Sequence, residues 1–393
     1  INSYWISQYL EEKYGPSAKI IDMPGWMEAF IPNPTFETTR TYRYWYFSKK
    51  GLRRPVLTDM ASFYEPSMIF SVAYGKGSAV VDMLAHRMGP EAFDRFTKKY
   101  YQMYSFKVAS VEDLMRLAQE ESGQDLEGFF RDWLYSAKAC DYGLERRGAD
   151  LILKKHGDLA MPVRTRVTYE DGTVASFSSD GIKDEDVLPL AADKKLARAA
   201  ADPDRLMLDS DRVNNHYPRL LDKKPVPLYH GLYDIPLFAN DSAYTWLAGP
   251  SISGDGIGAR SSLQRPGDWI TYAATHYDAN IDALKSSTGF QINNIAGRFM
   301  SAGAEFFDRQ AWGDEEDDLQ SYKVFLRQEM GMPYSFLEPA SHVTLYLLHN
   351  RSAGRSGYLG GKEEAMQSYK IDWGCSKTFR YKARKNRTAR RIL

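Results

Sequence analysis

The sequence predicts an α+β fold, with a helical part followed by two β-rich parts. Before Cys140, apolar residues recur at the spacing of helix faces, and after it they alternate with polar residues as in strands. Beyond residue 227, several β-like segments are separated by Gly, Asn, Asp and Pro clusters, which is typical of a meander or a barrel-like region. We therefore expect a helical lobe at 1–139, a small β domain at 140–219, a β-rich region at 220–375 and a basic tail at 376–393.

Four helical segments are well marked in the first part. The run from Ser67 to Met88 carries apolar residues at helical spacing, and Pro90 sits where the next helix begins. Ser110 and Asp113 have the spacing of a capping box and start a third helix. A fourth helix, with a strongly apolar face, begins near Asp125.

The small β domain is predicted from alternation at 151–155 and 163–169, followed by a tight hairpin turn at Asp171 and Gly172. The Ala- and Lys-rich stretch from Ala191 to Asp204 is predicted to be a connection or a short helix. In the last region the β-like segments are Trp269 to His276, Thr288 to Asn293, Ser321 to Arg327 and His342 to His349. Their spacing and aromatic content also resemble an outer-membrane barrel, but lipid-facing alternation is not sustained in the sequence, so a soluble or partial sheet is favoured.

Composition limits the classes of protein to which this chain can belong. Its 393 residues suggest two or three domains, 51 basic residues balance 51 acidic ones, and two distant cysteines rule out a disulfide scaffold. No apolar run approaches the roughly 20 residues of a membrane-spanning helix. The start at Ile1 lacks an initiator Met and a signal segment, so we expect a processed end or the cut edge of a longer chain.

Common catalytic and metal-binding motifs are absent from the sequence. None of the seven histidines forms H-E-x-x-H or H-x-H, so a zinc site made wholly within this chain is not expected. There is no G-x-S-x-G motif, and the P-loop pattern fails around Gly360 to Lys362. The acidic cluster from Asp314 to Asp318 lacks the ligand spacing of a calcium loop and is predicted to be a solvated connection.

The segment from Tyr74 to Gly77 is the most informative part of the chain. Two glycines near the start of a helix cost about 1 kcal/mol each relative to Ala, which suggests that close backbone approach is required there. Tyr74 can present its hydroxyl to a cleft as a hydrogen-bond donor to a developing oxyanion. On residue chemistry alone, a core Tyr with a satisfied hydroxyl is the favoured interpretation.

Four motifs in a fixed order carry a resemblance to a known family. They are Tyr74-Gly75-Lys76-Gly77-Ser78-Ala79-Val80-Val81, Met88-Gly89-Pro90-Glu91-Ala92-Phe93, Ser110-Val111-Glu112-Asp113-Leu114 and Phe129-Phe130-Arg131-Asp132-Trp133-Leu134. Across about Ile1 to Cys140 they resemble the helical C-terminal lobe of the thermolysin-like catalytic domain in the alanyl aminopeptidase family of gluzincin zinc metallopeptidases. The resemblance fades afterwards, although Asp202 to Asn215 is similar to the end of the β domain in bacterial relatives.

The resemblance implies a role for Tyr74. It also implies where these 393 residues lie within a longer parent protein. In the family, the Tyr of the Tyr-x-Lys-Gly motif stabilises the tetrahedral intermediate formed at a peptide carbonyl, and Tyr74 matches it. The residues from Ile1 look like those just after the third zinc ligand, so all zinc ligands and the amine-binding glutamates would precede Ile1. Glu11 and Glu12 are then surface helix residues, and no metal ligand is assigned within this chain. Zinc would belong to the full-length parent, and the chain alone is expected to be inactive.

Two functional hypotheses follow, from different classes. The first is the C-terminal portion of a bacterial zinc metallopeptidase with aminopeptidase-like action on peptide substrates, located in the cell envelope or periplasm. The second is a non-catalytic envelope scaffold or binding module that reuses the fold, since a fold alone does not establish activity. The chain lacks the large helical C-terminal domain of the better-known aminopeptidases, so neither exopeptidase action nor a substrate preference is implied.

The partners expected from the sequence are few. The basic tail from Ser376 to Leu393 has the charge to bind nucleic acid or anionic lipid, but only Phe379 and Tyr381 are aromatic within it. A disordered or artificial end is favoured, and no nucleic-acid partner is expected. Membrane association through the C-terminal β region is left open, and the sequence does not indicate an oligomeric state.

Overall fold

The computed structural model describes residues 2–15, 18–49, 51–63, 66–253, 256–295, 300–312, 318–330, 340–353 and 364–376. Helices occupy 32% and strands 36% of the chain, and this mixed content fits the predicted α+β class. Among the helices in these ranges, none combines the length and the apolar character needed to cross a membrane.

The α-helices of the described ranges all lie before residue 135. They are α1 (Asn2–Tyr14), α2 (Gly25–Glu28), α3 (Phe36–Lys49), α4 (Pro66–Ile69), α5 (Gly77–Met88), α6 (Pro90–Tyr104), α7 (Val111–Ser122) and α8 (Glu127–Leu134). A π-helical turn, Phe70–Lys76, joins α4 to α5. The helix predicted from Ser67 to Met88 is therefore interrupted by this turn.

The predicted helix signals in α6 and α7 are confirmed. Pro90 occupies the first turn of α6, where its missing N–H costs nothing. At α7, the Ser110 hydroxyl accepts a hydrogen bond from the Asp113 amide at 3.1 Å, and the Asp113 carboxylate accepts one from the Ser110 amide at 3.1 Å. Gly123 ends α7 with φ of 66°, a left-handed conformation that favours glycine.

Seven strands follow the helices and form two small antiparallel sheets. They are β1 (Tyr142–Arg147), β2 (Asp150–Lys155), β3 (Val163–Tyr169), β4 (Val174–Ser179), β5 (Glu185–Leu188), β6 (Leu196–Ala201) and β7 (His216–Tyr217). One sheet has the order β1-β2-β5 and the other the order β4-β3-β6-β7. The hairpin predicted at Asp171 and Gly172 joins β3 to β4, with φ of 82° at the glycine.

The prediction for the stretch from Ala191 to Asp204 is wrong, because this stretch contains β6. Strand β6 pairs with β3, and its residues Ala199 and Ala201 are buried while Ala200 between them is less so. The small side chains of these alanines make the apolar–polar alternation of a strand hard to recognise in the sequence. Alanine also has a high helix propensity, which favours the prediction of a helix. Pairing with β3 decides the conformation here.

A nine-stranded sheet forms the last part of the described chain. Its strands are β8 (Leu221–Pro225), β9 (Tyr244–Ser253), β10 (Gly256–Arg265), β11 (Trp269–Asp278), β12 (Ala283–Ile292), β13 (Met300–Ala311), β14 (Asp318–Met330), β15 (Ala340–Ala353) and β16 (Glu364–Ser376). From β9 to β16, each strand pairs antiparallel with the next, while β8 pairs parallel with β9. This is the meander that the sequence predicts.

Exposure alternates along β14 in this region. In β14, the exposed Tyr322, Val324 and Leu326 alternate with the less exposed Lys323 and Phe325. The pattern is hard to see in the sequence because Gly, Ala, Ser and Thr occur on both faces of the neighbouring strands. Strand register reveals it, because directly opposed residues share a face.

The buried core runs without a break from the helices into the two small sheets. One cluster joins Tyr4 of α1, Phe96 of α6 and Trp133 of α8 to Leu151 of β2 and Val167 of β3. The indole Nε1 of Trp133 donates a hydrogen bond to the Met161 sulfur at 3.3 Å. Buried apolar packing therefore crosses the boundary predicted at residue 140, which itself stays a prediction.

A charged network attaches the nine-stranded sheet to α3. Lys49, at the end of α3, forms ion pairs with Asp268 at 2.7 Å and with Asp211 at 3.4 Å. Arg265 pairs with Asp211 at 2.5 Å and with Asp268 at 3.0 Å. The hairpin between β10 and β11 therefore docks on the helices.

Several segments singled out in the sequence lie outside the described residues. These are Gly360 to Lys362, the acidic cluster except Asp318, and the basic tail after Ser376.

Candidate functional site

Tyr74 lies on the π-helical turn between α4 and α5. The amide of Gly77 donates to the carbonyl of Val72, five residues earlier, which is the hydrogen bond that defines such a turn. π-Helical turns inside α-helices occur frequently at functional sites. The local sequence favours an irregularity, because glycines at 75 and 77 have low helix propensity.

The side chain of Tyr74 is half-exposed, so the interpretation of Tyr74 as a core residue is wrong. Tyr74 is 54% exposed, and its ring packs against Phe70 with ring centroids 5.3 Å apart. The guanidinium of Arg43, on α3, lies 5.1 Å from the Phe70 ring centroid on the same part of the surface. Tyr74 is thus accessible to solvent, and its ring packs on one side against Phe70.

Lys76, two residues later, anchors the same turn inside the protein. Its side chain is only 1% exposed, and its ammonium donates hydrogen bonds to the Ser136 carbonyl at 2.9 Å and the Arg54 carbonyl at 3.4 Å. The ammonium also lies 5.9 Å from the ring centroid of Trp133. Burial lowers the pKa of Lys76 to about 8, although Asp158 opposes this shift. Lys76 therefore fixes the turn relative to the end of α8.

Two serines complete the support of the turn. The hydroxyl of Ser71 donates to the Arg43 carbonyl at 3.2 Å, and the hydroxyl of Ser78 donates to the Gly75 carbonyl at 3.1 Å. A side chain at Gly77 would make ordinary contacts, 3.6 Å to the Val72 carbonyl and 3.8 Å to Val56. The expected close backbone approach is therefore not found at Gly77. The turn is positioned by Lys76 and the serines.

Replacing Lys76 by Met should change how stability depends on pH. The folded protein binds the Lys76 proton less tightly than the unfolded chain, whose lysines titrate near 10.5. Between about pH 8 and 10.5 the unfolded state holds more protons, so the Lys76 contribution to stability rises with pH. We expect the unfolding free energy of the wild type to gain about 2 kcal/mol relative to Lys76→Met between pH 7.5 and 9.5. Urea unfolding of both proteins measures this, and a pH-independent difference would contradict it.

The described residues do not fit a zinc ion. Within the described ranges, no group of three or more His, Cys, Asp or Glu side chains is placed to hold a metal. Glu11 and Glu12 are exposed on α1, as predicted. His342 and His349 both lie on β15. The zinc that the resemblance implies therefore has no ligand set among these residues.

Sequence reasoning missed a pair of neighbouring carboxylates, the half-buried Asp141 and the buried Asp209. Burial raises the pKa of Asp141 to about 6, while a 2.7 Å hydrogen bond from the Asn214 amide lowers it. Burial also raises the pKa of Asp209, with Asp141 nearby as a second cause. Asp209 accepts hydrogen bonds from the amide of Tyr142 at 3.1 Å and the side chain of Asn215 at 3.2 Å. No sequence motif marks this pair, because residues 68 positions apart meet only through the fold.

Replacing Asp141 by Asn should stabilise the protein at neutral pH. Between about pH 4 and 6 the folded state holds more protons than the unfolded chain, so wild-type stability falls as the pH rises through this window. The amide of Asn can still accept the hydrogen bond from Asn214. We expect Asp141→Asn to gain on the order of 1–2 kcal/mol at pH 7 and much less at pH 4.5. The control is Asp150→Asn, at the exposed start of β2, which should leave the unfolding free energy unchanged at both pH values. If Asp141→Asn gained equal stability at pH 7 and pH 4.5, the raised pKa of Asp141 would be contradicted.

Comparison with known proteins now identifies the class to which this helical part is similar. Residues 26–133 match the model of the Peptidase family M1 domain, and this range includes the Tyr74 turn and ends in α8. The match supports the M1 peptidase family and a metallopeptidase-like function at low identity.

Individual relatives extend this comparison. The chain is 32% identical over 80 residues to Aminopeptidase M1-B of Oryza sativa subsp. japonica, covering 20% of this chain and 9% of that protein. It is 23% identical over 137 residues to Aminopeptidase N of Streptomyces lividans, covering 34% and 16%. It is also 23% identical over 169 residues to Tricorn protease-interacting factor F2 of Thermoplasma volcanium, covering 41% and 21%. The aligned parts thus span 9% to 21% of the length of these three relatives.

Proposed function

We propose that the turn carrying Tyr74 is the oxyanion-stabilising element of an M1-type zinc metallopeptidase that hydrolyses peptide bonds. The observation that carries the proposal is the opposite placement of two neighbours in one motif: Tyr74 is 54% exposed and Lys76 only 1%. A motif whose Lys is fixed in the core and whose Tyr points outward is suited to hold a hydroxyl at a defined place on the surface. The match of residues 26–133 to the M1 domain supports the same assignment.

The chemistry expected of Tyr74 is hydrogen-bond donation to developing negative charge. When a peptide carbonyl becomes tetrahedral, its oxygen gains charge, and a donor already in place stabilises that charge more than it stabilises the ground state. Phe70 restrains the Tyr74 ring, while Lys76 restrains its backbone. The phenol O–H can therefore meet the oxygen without reorganisation of the turn.

In this proposal, zinc is bound by residues outside residues 1–393. The 393 residues contain no H-E-x-x-H motif, so the ligands would come from residues beyond them. We accordingly propose that residues 1–393 alone do not hydrolyse peptides. We further propose a bacterial parent located in the cell envelope, on the basis of the resemblance alone.

The experiment is hydrolysis of an aminoacyl reporter by two purified proteins. The natural gene product that includes residues 1–393 should be active and inhibited by a zinc chelator, whereas residues 1–393 with added zinc should be inactive. Reporter hydrolysis by residues 1–393 that is abolished in Tyr74→Phe would contradict the proposed inactivity. An intact but inactive gene product would favour the alternative, a non-catalytic envelope scaffold or binding module.

A further inference from the structure

One face of the nine-stranded sheet exposes large apolar side chains on most of the strands from β9 to β15. All eleven exposed large apolar side chains of β9 to β15 lie on it. They are Trp246, Ile252, Ile257, Tyr277, Phe290, Ile292, Tyr322, Val324, Leu326, Leu345 and Leu347. We call this surface the apolar face. One row of directly opposed residues across it reads Trp246, Leu263, Thr271, Phe290, Ala304, Val324 and Leu347.

The opposite face of the sheet, here called the polar face, carries the charged groups. Its corresponding row reads Leu247, Ser262, Tyr272, Gly289, Glu305, Lys323 and Leu348. Lys323 forms an ion pair with Glu305 at 3.0 Å, and Arg260 forms one with Asp234 at 3.0 Å. These four residues line a cavity of about 570 Å³ on this face.

The polar face is also the covered one. The segment from Val226 to Phe238 lies over it, and the Tyr229 hydroxyl shares a 2.6 Å hydrogen bond with the Ser262 hydroxyl. The side-chain amide of Gln264 donates to the Tyr233 carbonyl at 3.1 Å. Ser262 and Gln264 are only 2% and 3% exposed, although both are polar. Polar side chains are therefore enclosed while large apolar ones face outward.

This arrangement is the reverse of that in a sheet surrounded by water. An antiparallel sheet in water buries its apolar face and exposes its polar one. Contiguous exposed apolar surface on a protein marks a site that contacts another protein, a ligand or a membrane. A sheet with polar groups enclosed and apolar groups outward is the arrangement required when the surrounding medium is hydrocarbon.

Two aromatic groups bound the apolar face along β11. At the end near the helices, Trp269 packs against Tyr244 and Phe290, with ring centroids 5.8 Å and 6.3 Å apart. At the other end, Tyr277 stacks on Trp312 at 5.8 Å. Trp269 and Tyr277 are eight residues apart on one strand, which is about 26 Å along the strand and about 20 Å along the membrane normal for a tilt of about 40°. Apolar bands bounded by aromatic girdles in membrane-crossing sheets are of similar height, about 25 Å.

The charge distribution on the apolar face distinguishes lipid from a charged protein partner. Between the two aromatic groups, the described strands β9 to β12 present on this face only uncharged side chains. Arg265, level with Trp269, is at the boundary and is ion-paired with Asp211 and Asp268. On β13, Asp308 lies beyond Phe306, at the level of Thr275 and two residues inside that of Tyr277. The uncharged band from β9 to β12 thus complements a hydrocarbon layer, and Arg265 and Asp308 lie toward its two ends.

We propose that the apolar face contacts the acyl chains of a lipid bilayer and that β9 to β15 cross its hydrocarbon layer. Strands of 10 to 14 residues are long enough, because a tilted crossing strand needs about 9–11. The two aromatic groups then lie at the two interfaces. The helices, docked through Lys49 and Asp268 at the Trp269 end, lie in water on one side. This proposal is independent of the role of Tyr74.

The edge strands of the sheet must have their backbone hydrogen bonds satisfied wherever they lie in the bilayer. Within the described residues, β8 and β16 each pair on one side only. Unpaired backbone N–H and C=O groups are strongly disfavoured in hydrocarbon, so any edge that enters the layer must pair with a further strand. Strand β8 runs beside Tyr244 to Ala248 of β9 and places Lys223 opposite Trp246, so this end of β9 lies at the boundary with water.

The test is flotation of the purified chain with liposomes of phosphatidylethanolamine and phosphatidylglycerol, followed by alkaline carbonate extraction. The wild type should float and resist extraction. Val324→Lys, combined with Leu347→Lys opposite it, should lower the carbonate-resistant fraction about 10-fold, because lysine on the lipid face is disfavoured within the hydrocarbon layer. The matched control is Val174→Lys on β4, where Val174 is 60% exposed and Val324 is 56%; it should behave as wild type.

A second readout separates insertion from loss of folding. Lipids brominated on their acyl chains should quench wild-type tryptophan fluorescence, and Trp246→Phe should lose a measurable part of the quenched signal because Trp246 lies on the apolar face. Two outcomes would overturn the proposal. One is a wild type that stays unbound and forms a discrete dimer, which would indicate that a second copy covers the face. The other is equal carbonate resistance in the wild type and the double-lysine variant.

Discussion

Replacing Tyr74 by Phe in the natural gene product is expected to lower kcat for an aminoacyl reporter by about 100- to 1,000-fold, the usual effect of removing one oxyanion donor. KM should change little, because the hydrogen bond strengthens as the carbonyl oxygen gains charge and contributes less to substrate binding. The substitution removes one hydroxyl from a side chain that is 54% exposed. Stability should therefore be preserved, which separates a chemical effect from an unfolding effect.

A matched control is available on α6. Tyr101 is 71% exposed and lies in the same helical part, so Tyr101→Phe makes the same chemical change away from the turn. Its kcat should stay within about twofold of the wild type. Equal losses in both variants would point to a general effect of removing a surface hydroxyl and would contradict the role proposed for Tyr74.

Replacing Trp133 by Ala is expected to lower the free energy of unfolding by about 3–5 kcal/mol. Trp133 is fully buried in α8, and its indole donates to the Met161 sulfur at 3.3 Å. The truncation leaves a cavity between the helices and the small sheets and removes the ring that lies 5.9 Å from the ammonium of Lys76. Since domains are commonly stable by 5–15 kcal/mol, this loss is large enough to shift urea unfolding to much lower concentration.

Trp26 provides the comparison for this second variant. Trp26 lies on α2 and is 70% exposed, so Trp26→Ala should change the unfolding free energy by less than about 0.5 kcal/mol. If the core is continuous, Trp133→Ala should shift the unfolding of the helices and of the small sheets together. A shift confined to the helical signal would show that the two parts unfold separately.

Local signals in the sequence were sufficient to predict much of the helical part. The capping box at Ser110 and the start of α6 at Pro90 depend on interactions within a few residues, and both were predicted correctly. The hairpin at Gly172 is equally local. The motif containing Tyr74 and Lys76 was also recognisable, although their opposite burial was not.

Features that depend on distant residues could not be predicted from the sequence. The exposure of Tyr74 follows from a π-helical turn held by Ser136, whose carbonyl lies 60 residues away from Lys76. The strand β6 forms because β3 is available to pair with it. The apolar face of the large sheet emerges only when register aligns the strands, since each strand taken alone mixes apolar residues with Gly, Ser and Thr.

The central claim, that Tyr74 stabilises a tetrahedral oxyanion, is tested most directly by binding of a phosphinic dipeptide, whose tetrahedral phosphinate mimics that intermediate. In the natural gene product, Tyr74→Phe should weaken binding of this analogue by about 100-fold or more while leaving the affinity for an amino-acid product nearly unchanged. Titration calorimetry of both proteins with both ligands measures the difference. Equal affinity of wild type and Tyr74→Phe for the phosphinic dipeptide would contradict the claim.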